Sequence, residues 1–508
     1  MDVVFRTDAS LQIGTGHVMR CLTLAEGLRA AGAAVSFICR EHAGHLCELI
    51  AARGYPVHGL PPPGAAAAPA AEPSHAHWLG VSWQQDAADT AAVLSGRPDW
   101  LVIDHYALDA RWEQALRPAA VRIMVIDDLA DRPHDCDLLL DQNLAPQMDG
   151  RYDGLLPPAA VRLLGPHYAL LRPEFAAARA ALRARDGQVR RLFLFIGGAD
   201  PDNHTGRALQ AVASLQRPAL AVDVVIGGAN PHHAALAEQC ATLPGARLHR
   251  GVDNMAELMA AADLAIGAGG GAMWERASVG LPSLVIAVAQ NQQSGSTAMA
   301  RQGRVLYLGD ADSALQALPA ALQTACAAPE LLSHLEQGSL ALVDGRGAGR
   351  VLRRLQQLSS AAQLELRPAT AADCDPIWAW RNAETVRRFS GSSAAIPLEQ
   401  HREWFAATLV NPSRQLLVGE IGGRAAGILR YDREGAKATI SVYLTPEFLG
   451  QGIGAALIGA GSGWVRGHWP EVAQIEAVIL PGNRASAQAF EAAGYAEQLN
   501  IFALRIRD

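Results

Sequence analysis

Twice along this chain, short apolar runs alternate with segments of helical period, and that alternation leaves few folds open. From residue 1 to about 165, strands are predicted at 3–6, 34–40, 100–104, 123–127 and 138–141, with amphipathic stretches around 17–31, 43–53, 84–96 and 111–118. A second series opens at Arg191-Leu-Phe-Leu-Phe-Ile-Gly197-Gly198 and continues through 222–228, 247–251, 264–269, 284–289 and 305–309, with helices at 203–216, 231–241, 254–262, 272–280 and 292–303. Strands separated by helices build parallel, doubly wound sheets. Two such domains with a crevice between them are expected, and ligands of such sheets sit at the carboxyl ends of the strands. The run from Pro61 to Pro73 reads as a flexible or polyproline-like excursion, because the alternation resumes after it.

The pattern changes after a helical stretch at 346–361. Adjacent strands at 415–421, 425–431 and 437–444, with turn signals at Gly422-Gly423 and around Gly435, predict an antiparallel sheet and a third domain of α+β type. The expected division is 1–185, 186–345, a helical linker at 346–362, and 363–508. A chain of 508 residues is too long for one core. A net charge of −7 argues against a bulk footprint for nucleic acid. The seven cysteines include no C-x-x-C pair, the start lacks the features of a signal peptide, and the apolar runs are too short to cross a bilayer. A soluble, cytoplasmic protein, monomer or homodimer, with no nucleic-acid or membrane partner, is the expectation.

The first βα junction is unusual. A strand feeds Arg6-Thr-Asp8-Ala-Ser10-Leu-Gln-Ile-Gly14-Thr-Gly16-His17, and a helix follows. The glycines permit a tight turn and close approach to a ligand, and His17 stands at the positive end of the helix. The spacing is not the dinucleotide fingerprint. His17 is either a group facing a ligand or a capping residue beside a turn. Glycine turns recur at Gly197-Gly198, Gly227-Gly228 and Gly269-Gly270-Gly271, the last running into Trp274-Glu275-Arg276. Such turns either cradle a diphosphate with backbone N–H groups or are simply tight βα turns, and Glu275 either meets ribose hydroxyls or is a solvated helix residue. Asp86-Ala-Ala-Asp89 and Asp127-Asp128 read as a helix face and a strand end.

Taken together, these motifs resemble a known family. Gly267-Ala-Gly-Gly-Gly-Ala-Met-Trp-Glu-Arg-Ala-Ser-Val-Gly-Leu-Pro, with Ala289-Gln-Asn291-Gln, is similar to the nucleotide-binding segment of MurG-like glycosyltransferases. With Arg6-x-Asp8-x-Ser10, Gly14-x-Gly16-His17-x-x-Arg20, Asp104-His-Tyr106 and Gly197-Gly-Ala-Asp200, residues 1–340 more closely resemble the UDP-sugar hydrolases of pseudaminic acid synthesis. The resemblance implies a GT-B fold of two Rossmann-like domains. It implies UDP on the second domain, at Gly198, Gly228, Gly269, Gly270 and Glu275, and sugar against the first, at Arg6, Gly16, Asp104 and Tyr106, with Asn291. His17 becomes the group that activates water, suited by a neutral imidazole at a helix N-terminus. Asp8 either orients His17 or contacts the sugar. The diphosphate charge would be met by Gly269, Gly270 and the helix end without a metal.

In the third domain, Val442-Tyr-Leu444-Thr-Pro-Glu-Phe-Leu-Gly450-Gln-Gly452-Ile-Gly454 resembles the pyrophosphate loop of GNAT acetyltransferases. Asn483-Arg-Ala-Ser486, followed by Phe490 and Gly494-Tyr495, resembles that family's second motif. The likeness implies acetyl-CoA as co-substrate, held by Leu444, Gly450, Gly452, Gly454, Asn483 and Ser486. Leu449 replaces the usual Gln or Arg, and Phe490 stands where many members carry a thiolate-protonating tyrosine, which Tyr495, beyond the helix, replaces poorly. Leu366-Arg-Pro, Trp380-Arg381-Asn382 and His401-x-x-Trp404-Phe405 resemble the acetyltransferase of the same pathway, on the acceptor side, although Trp380 and Trp404 are equally plausible core aromatics. The two resemblances imply adjacent steps on a UDP-linked amino sugar, N-acetylation and then removal of UDP. A true glycosyltransferase fused to an acetyltransferase, and a non-enzymatic UDP-sugar sensor, are the rival readings.

Overall fold

The computed structural model describes residues 1–64, 73–228, 230–389, 394–480 and 482–497. Residues 65–72 of the proline- and alanine-rich excursion lie outside them. The chain divides into two compact units, Met1–Leu352 and Arg353–Asp508.

The first unit holds two parallel sheets. One is built from β1 (Asp2–Thr7), β2 (Ala34–Arg40), β3 (Val57–Leu60), β4 (Trp100–Asp104), β5 (Arg122–Ile126), β6 (Leu138–Asp141) and β7 (Val161–Leu164), in the order β3-β2-β1-β4-β5-β6-β7. The other is built from β8 (Arg191–Phe195), β9 (Ala221–Ile226), β10 (Ala246–Arg250), β11 (Leu264–Ala268), β12 (Ser283–Ala287) and β13 (Leu306–Asp310), in the order β10-β9-β8-β11-β12-β13. Each is a Rossmann-like order, and the pair forms a GT-B unit. Strands β4, β11 and β12 are buried along their whole length, which explains their continuous apolar runs. The edge strands β3 and β7 are additions to the sequence reading. Each has four residues and interrupts its apolar pattern, with His58 and Gly59 in one and Arg162 in the other.

In each sheet the strand order reverses between its first and fourth strands in sequence. Residues following β1 and β4 therefore meet at one switch point, and residues following β8 and β11 at the other. His17 opens the helix Gly16–Ala30 after β1, and Tyr106 follows β4. Gly197-Gly198 follow β8, and Gly269–Gly271 follow β11.

The second unit carries β14 (Leu364–Pro368), β15 (Arg414–Ile421), β16 (Arg424–Glu434), β17 (Lys437–Leu444) and β18 (Gln474–Ala477) in sequential order. The first four pair antiparallel, but β17 and β18 are parallel, so the sheet is mixed where an antiparallel one was expected. The helix Gly454–His468 supplies the crossover. It packs tightly, since a Cβ added at Gly419 or Gly427 would lie 2.4 or 2.5 Å from the Leu457 methyls. No helix among the described residues is long and apolar enough to cross a membrane.

Candidate active site

His17 is 8 % exposed, and its Nδ1 lies 2.6 Å from Asp104 Oδ1. A carboxylate can only accept, so Nδ1 carries the hydrogen of this contact and Nε2 is the ring nitrogen turned away from it. Nε2 has no partner among the described residues. Arg20, one helical turn after His17, donates Nε–H and Nη2–H to the two Asp104 oxygens, both at 2.6 Å. Burial pushes the Asp104 carboxyl up, but Arg20 and then His17 outweigh it and hold it well below the usual carboxylate range. Asp104 is therefore the residue that fixes the imidazole. Sequence reasoning set it against the sugar, yet it is fully buried beneath His17.

Asp8 neither orients His17 nor reaches the surface. It is fully buried, accepting from Arg6 Nη1 at 2.6 Å and from the Arg40 backbone N–H at 2.7 Å. Burial opposes its ionisation, but Arg6 dominates and holds Asp8 well below the ordinary range. Arg6 likewise departs from its expected sugar-binding place. Its guanidinium spans Asp8 and Asp86, with no exposed surface. Asp86 lies on the helix Trp83–Val93, in keeping with the helix face expected, and that face is buried, where Arg6, Arg40 and the indole N–H of Trp112 all donate to it. This charged cluster supports the Arg6–His17 loop from below. The loop is closed by the Gly14 N–H on the Ser10 carbonyl and by N–H groups of Gln12 and Ile13 on the Ser10 hydroxyl. A Cβ at Gly16 would meet nothing within 4 Å, so Gly16 lies at an open face.

Tyr106 places its ring 4.6 Å from that of His17, edge to face, and donates to Asp128 Oδ1 at 2.5 Å. Burial and then Asp128 keep this phenol protonated. Trp78 stacks on Tyr106 with centroids 5.5 Å apart, extending an aromatic wall beside the histidine. Asn291, carried by the second sheet, donates to the Tyr106 hydroxyl at 3.4 Å, so these predicted residues do come together. Arg20, Asp128, Asn143 and Trp78 were missed. The three-residue spacing of His17 and Arg20 on one helix face was a usable signal for the first of them.

Across from His17 lie the glycine turns. A Cβ at Gly198 would stand 3.9 Å from Thr15 Oγ1, so the loops after β8 and β1 approach each other. The Gly269 N–H is taken by the Ile286 carbonyl at 3.1 Å, which removes it as a diphosphate donor, contrary to expectation. Gly269 matters for space, since a Cβ there would lie 2.2 Å from Ser296 Oγ. The N–H groups of Gly270 and Gly271 have no protein acceptor among the described residues. Gly228 accepts from Arg250 Nε through its carbonyl at 2.9 Å. Glu275 is partly exposed and faces Arg172 at 3.7 Å, and burial raises its carboxyl. Arg276 is buried and bonded to the Ala268 carbonyl at 2.8 Å and Ser283 Oγ at 3.2 Å. Burial lowers it to about 10.

In the second unit, Gly450 and Gly452 hold φ of +77° and +74°, a conformation that favours glycine. The N–H groups of Gly450, Gly452 and Gly454 have no protein acceptor among the described residues, which suits a pyrophosphate. Leu444 ends β17 just before this loop. Asn483 caps the helix Arg484–Ala492 by accepting the Ser486 N–H at 3.2 Å, leaving its amide NH2 for a ligand. Phe490 is buried, and the Tyr495 hydroxyl is turned to Ser462 Oγ at 2.8 Å, away from any acid role at position 490. His401, expected to line the acceptor side, is a core residue that bonds the Cys374 carbonyl at 3.0 Å and packs on Phe405. Trp380 and Trp404 pack against the same core. Burial pushes the Arg381 guanidinium down.

Residues 363–496 match the acetyltransferase (GNAT) domain family, and residues 207–337 match the glycosyltransferase family 28 C-terminal domain. Over 304 residues the chain is 27% identical to the UDP-2,4-diacetamido-2,4,6-trideoxy-beta-L-altropyranose hydrolase of Campylobacter jejuni, covering 60% of this chain and 97% of the relative. It is 31% identical to the spore coat polysaccharide biosynthesis protein SpsG of Bacillus subtilis over 198 residues, which is 38% of this chain and 58% of that protein. Among solved structures, MurG of Acinetobacter baumannii aligns with 70% of this chain and 99% of its own, at 14% identity and a TM-score of 0.47. The chain fuses a hydrolase- or glycosyltransferase-like GT-B unit to a GNAT acetyltransferase domain.

Proposed function

We propose that the chain is a bifunctional nucleotide-sugar enzyme of pseudaminic acid synthesis. Its GNAT domain acetylates the 4-amino group of UDP-4-amino-4,6-dideoxy-β-L-AltNAc, and its GT-B unit hydrolyses the resulting UDP-2,4-diacetamido-2,4,6-trideoxy-β-L-altropyranose to free sugar and UDP. The proposed domain limits are 1–185, 186–345 and 363–508, with a helical linker at 346–362.

One observation carries the hydrolase half: His17 is held at Nδ1 by Asp104 while Nε2 remains open at the switch point. In the proposed reaction Nε2 takes a proton from water as the water oxygen bonds the anomeric carbon. The bond from that carbon to the diphosphate oxygen breaks, and UDP leaves with the electron pair. The N–H groups of Gly270 and Gly271 meet the departing charge without a metal, and Glu275 takes the ribose hydroxyls. Tyr106, Asn291 and Gly16 face the sugar. In the acetyl half the amine nitrogen bonds the thioester carbonyl, the carbon–sulfur bond breaks, and the sulfur receives its proton by way of water. Gly450, Gly452, Gly454, Asn483, Ser486 and Leu444 hold the CoA arm. Support for the substrates comes from the hydrolase relative, aligned over nearly its full length.

The match of residues 207–337 to a glycosyltransferase domain favours a second reading, transfer to an acceptor other than water. One assay separates them. The protein is incubated with the UDP-4-amino sugar and acetyl-CoA while free CoA, UDP and free sugar are followed. Release of all three supports the proposal. UDP release that depends on an added acceptor favours the transferase, and neither acetylation nor UDP release defeats the bifunctional reading. In the same assay His17→Ala is expected to keep UDP binding and lose hydrolysis by about 10²–10⁴-fold. Unchanged turnover removes His17 from the mechanism.

A further inference from the structure

Among the described residues, two hydrogen bonds reach from the loops of the second sheet to Asn143 and Tyr106 in the loops of the first, and each of these acceptors in turn donates to one carboxylate. Trp274 Nε1–H donates to Asn143 Oδ1 at 2.9 Å, and Asn143 Nδ2–H donates to Asp128 Oδ2 at 2.9 Å. Asn291 donates to the Tyr106 hydroxyl, and Tyr106 donates to Asp128 Oδ1. An indole nitrogen can only donate, so the Asn143 amide is fixed with its oxygen toward Trp274 and its NH2 toward Asp128. Arg20 then joins Asp128 to the catalytic pair, with Nη1 at 3.2 Å from Asp128 Oδ2 and its other nitrogens on Asp104, which holds His17. No link in this path exceeds 3.4 Å.

The ends of the path matter. Trp274 is 1 % exposed, packs in the core of the second sheet, and stands three residues after Gly271. It lies on the helix Ala272–Ser278, directly after the turn that offers the Gly270 and Gly271 N–H groups. The charges matter too. Among the described residues, Arg20 is the arginine paired with both the Asp104 and the Asp128 carboxylates. Arg132 pairs with Asp127 at 2.8 Å, and Arg151 lies 3.0 Å from Asp141 while donating Nη2–H to the Asp128 backbone carbonyl at 2.7 Å. The set Asp104, Asp128, Arg20 and His17 becomes neutral only when His17 has accepted a proton.

We propose that Asp128 is a positioning residue through which nucleotide seated on the Gly270–Gly271 turn sets Arg20, Asp104 and His17 for proton transfer, with Trp274 and Asn143 as the connection. This rests on the hydrolase reading above, and it names residues that act through His17 and touch no reacting atom. Asp128 also supplies the negative charge that matches the protonated imidazole.

The test uses the full chain with Asp128→Asn and the milder Trp274→Phe, which keeps an aromatic ring in the core. UDP affinity by calorimetry is expected to stay within about 3-fold of the parent. Turnover of the UDP-sugar falls about 30-fold in Asp128→Asn and about 5-fold in Trp274→Phe, with KM nearly constant, as for interactions realised only in the transition state. A second readout needs no turnover. In protein labelled with ¹⁵N-histidine, UDP shifts the His17 ring-nitrogen signals of the parent, and Trp274→Phe abolishes that shift. Unchanged kcat in Asp128→Asn, or a UDP-induced shift that persists in Trp274→Phe, overturns the proposal. If the parent itself releases no UDP, the functional reading has failed and the nitrogen signals alone decide the coupling.

Discussion

The two sheets of the first unit share a strand order but finish their carboxyl edges in opposite ways. The first edge is crowded with charge: Arg6, Asp8, Arg20, Arg40, Asp86, Asp104 and Asp128 lie buried or nearly so, locked to one another. The second edge is emptied of side chains, with glycine at 197, 198, 227, 228, 267 and 269–271. One edge fixes ionisable groups and the orientation of an imidazole. The other exposes backbone donors and leaves room for a bulky anion. A shared topology thus sets where a ligand sits, and the side chains at the switch point decide whether that edge moves protons or holds phosphates.

This contrast can be broken from either side. Asp8→Asn should have the largest effect, because it leaves Arg6 buried beside a neutral amide. Breaking a buried pair costs about 3–5 kcal/mol, so denaturant unfolding of the first unit should shift by that amount. A shift under 1 kcal/mol would mean the charged cluster does not support the loop. Asp104→Asn should act on chemistry, cutting turnover about 10²–10³-fold while UDP affinity stays constant, since it loosens His17 and unbalances Arg20. Equal losses of affinity and turnover would contradict an edge devoted to proton transfer. On the glycine side, Gly267→Ala places a Cβ 2.3 Å from Arg276 Nη1 and 2.9 Å from the Phe195 carbonyl. Overpacking there should cost about 1–3 kcal/mol, read as a lowered melting temperature.

The smallest expected effect is a pH slope. Burial and Asp128 raise Asp141 to about 7, above its unfolded value. The native state then binds more protons than the unfolded one between the unfolded pKa and about 7, so this group makes stability fall as pH rises through that window. Asp141→Asn should remove that fall. Its stability relative to the parent should improve by on the order of 1 kcal/mol from pH 5 to pH 8, measured by thermal melts. A difference that does not change with pH would place Asp141 outside this charge network.

Much of this was legible in the sequence. The central strands β1, β2, β4 and β6, the glycine turns and the helix after Gly16 follow from apolar runs and local spacing. The meeting of His17, Tyr106 and Asn291 followed from resemblance. What escaped was the identity of partners far apart in the chain. Asp8 and Asp104 both follow from strands next to the same helix, and only the fold puts the second against His17, 87 residues away. Asp86 was legible only as part of a helix face, because its two arginine partners lie on β1 and β2. The short edge strands lacked a continuous apolar run, and the parallel pairing of β18 depends on a crossover that local pattern does not encode.

The close fit between Gly267 and Arg276 has a consequence for how this edge can vary. The arginine's long side chain lies where any residue larger than glycine at 267 would place its first carbon, so the two positions are coupled. A shorter residue at 276 would relieve only part of that obstruction, because the Phe195 backbone carbonyl would still lie 2.9 Å from a Cβ at 267. Glycine at 267 is therefore held from two sides, by a buried side chain and by the neighbouring strand's backbone, and changes at 267 and 276 should be non-additive in stability.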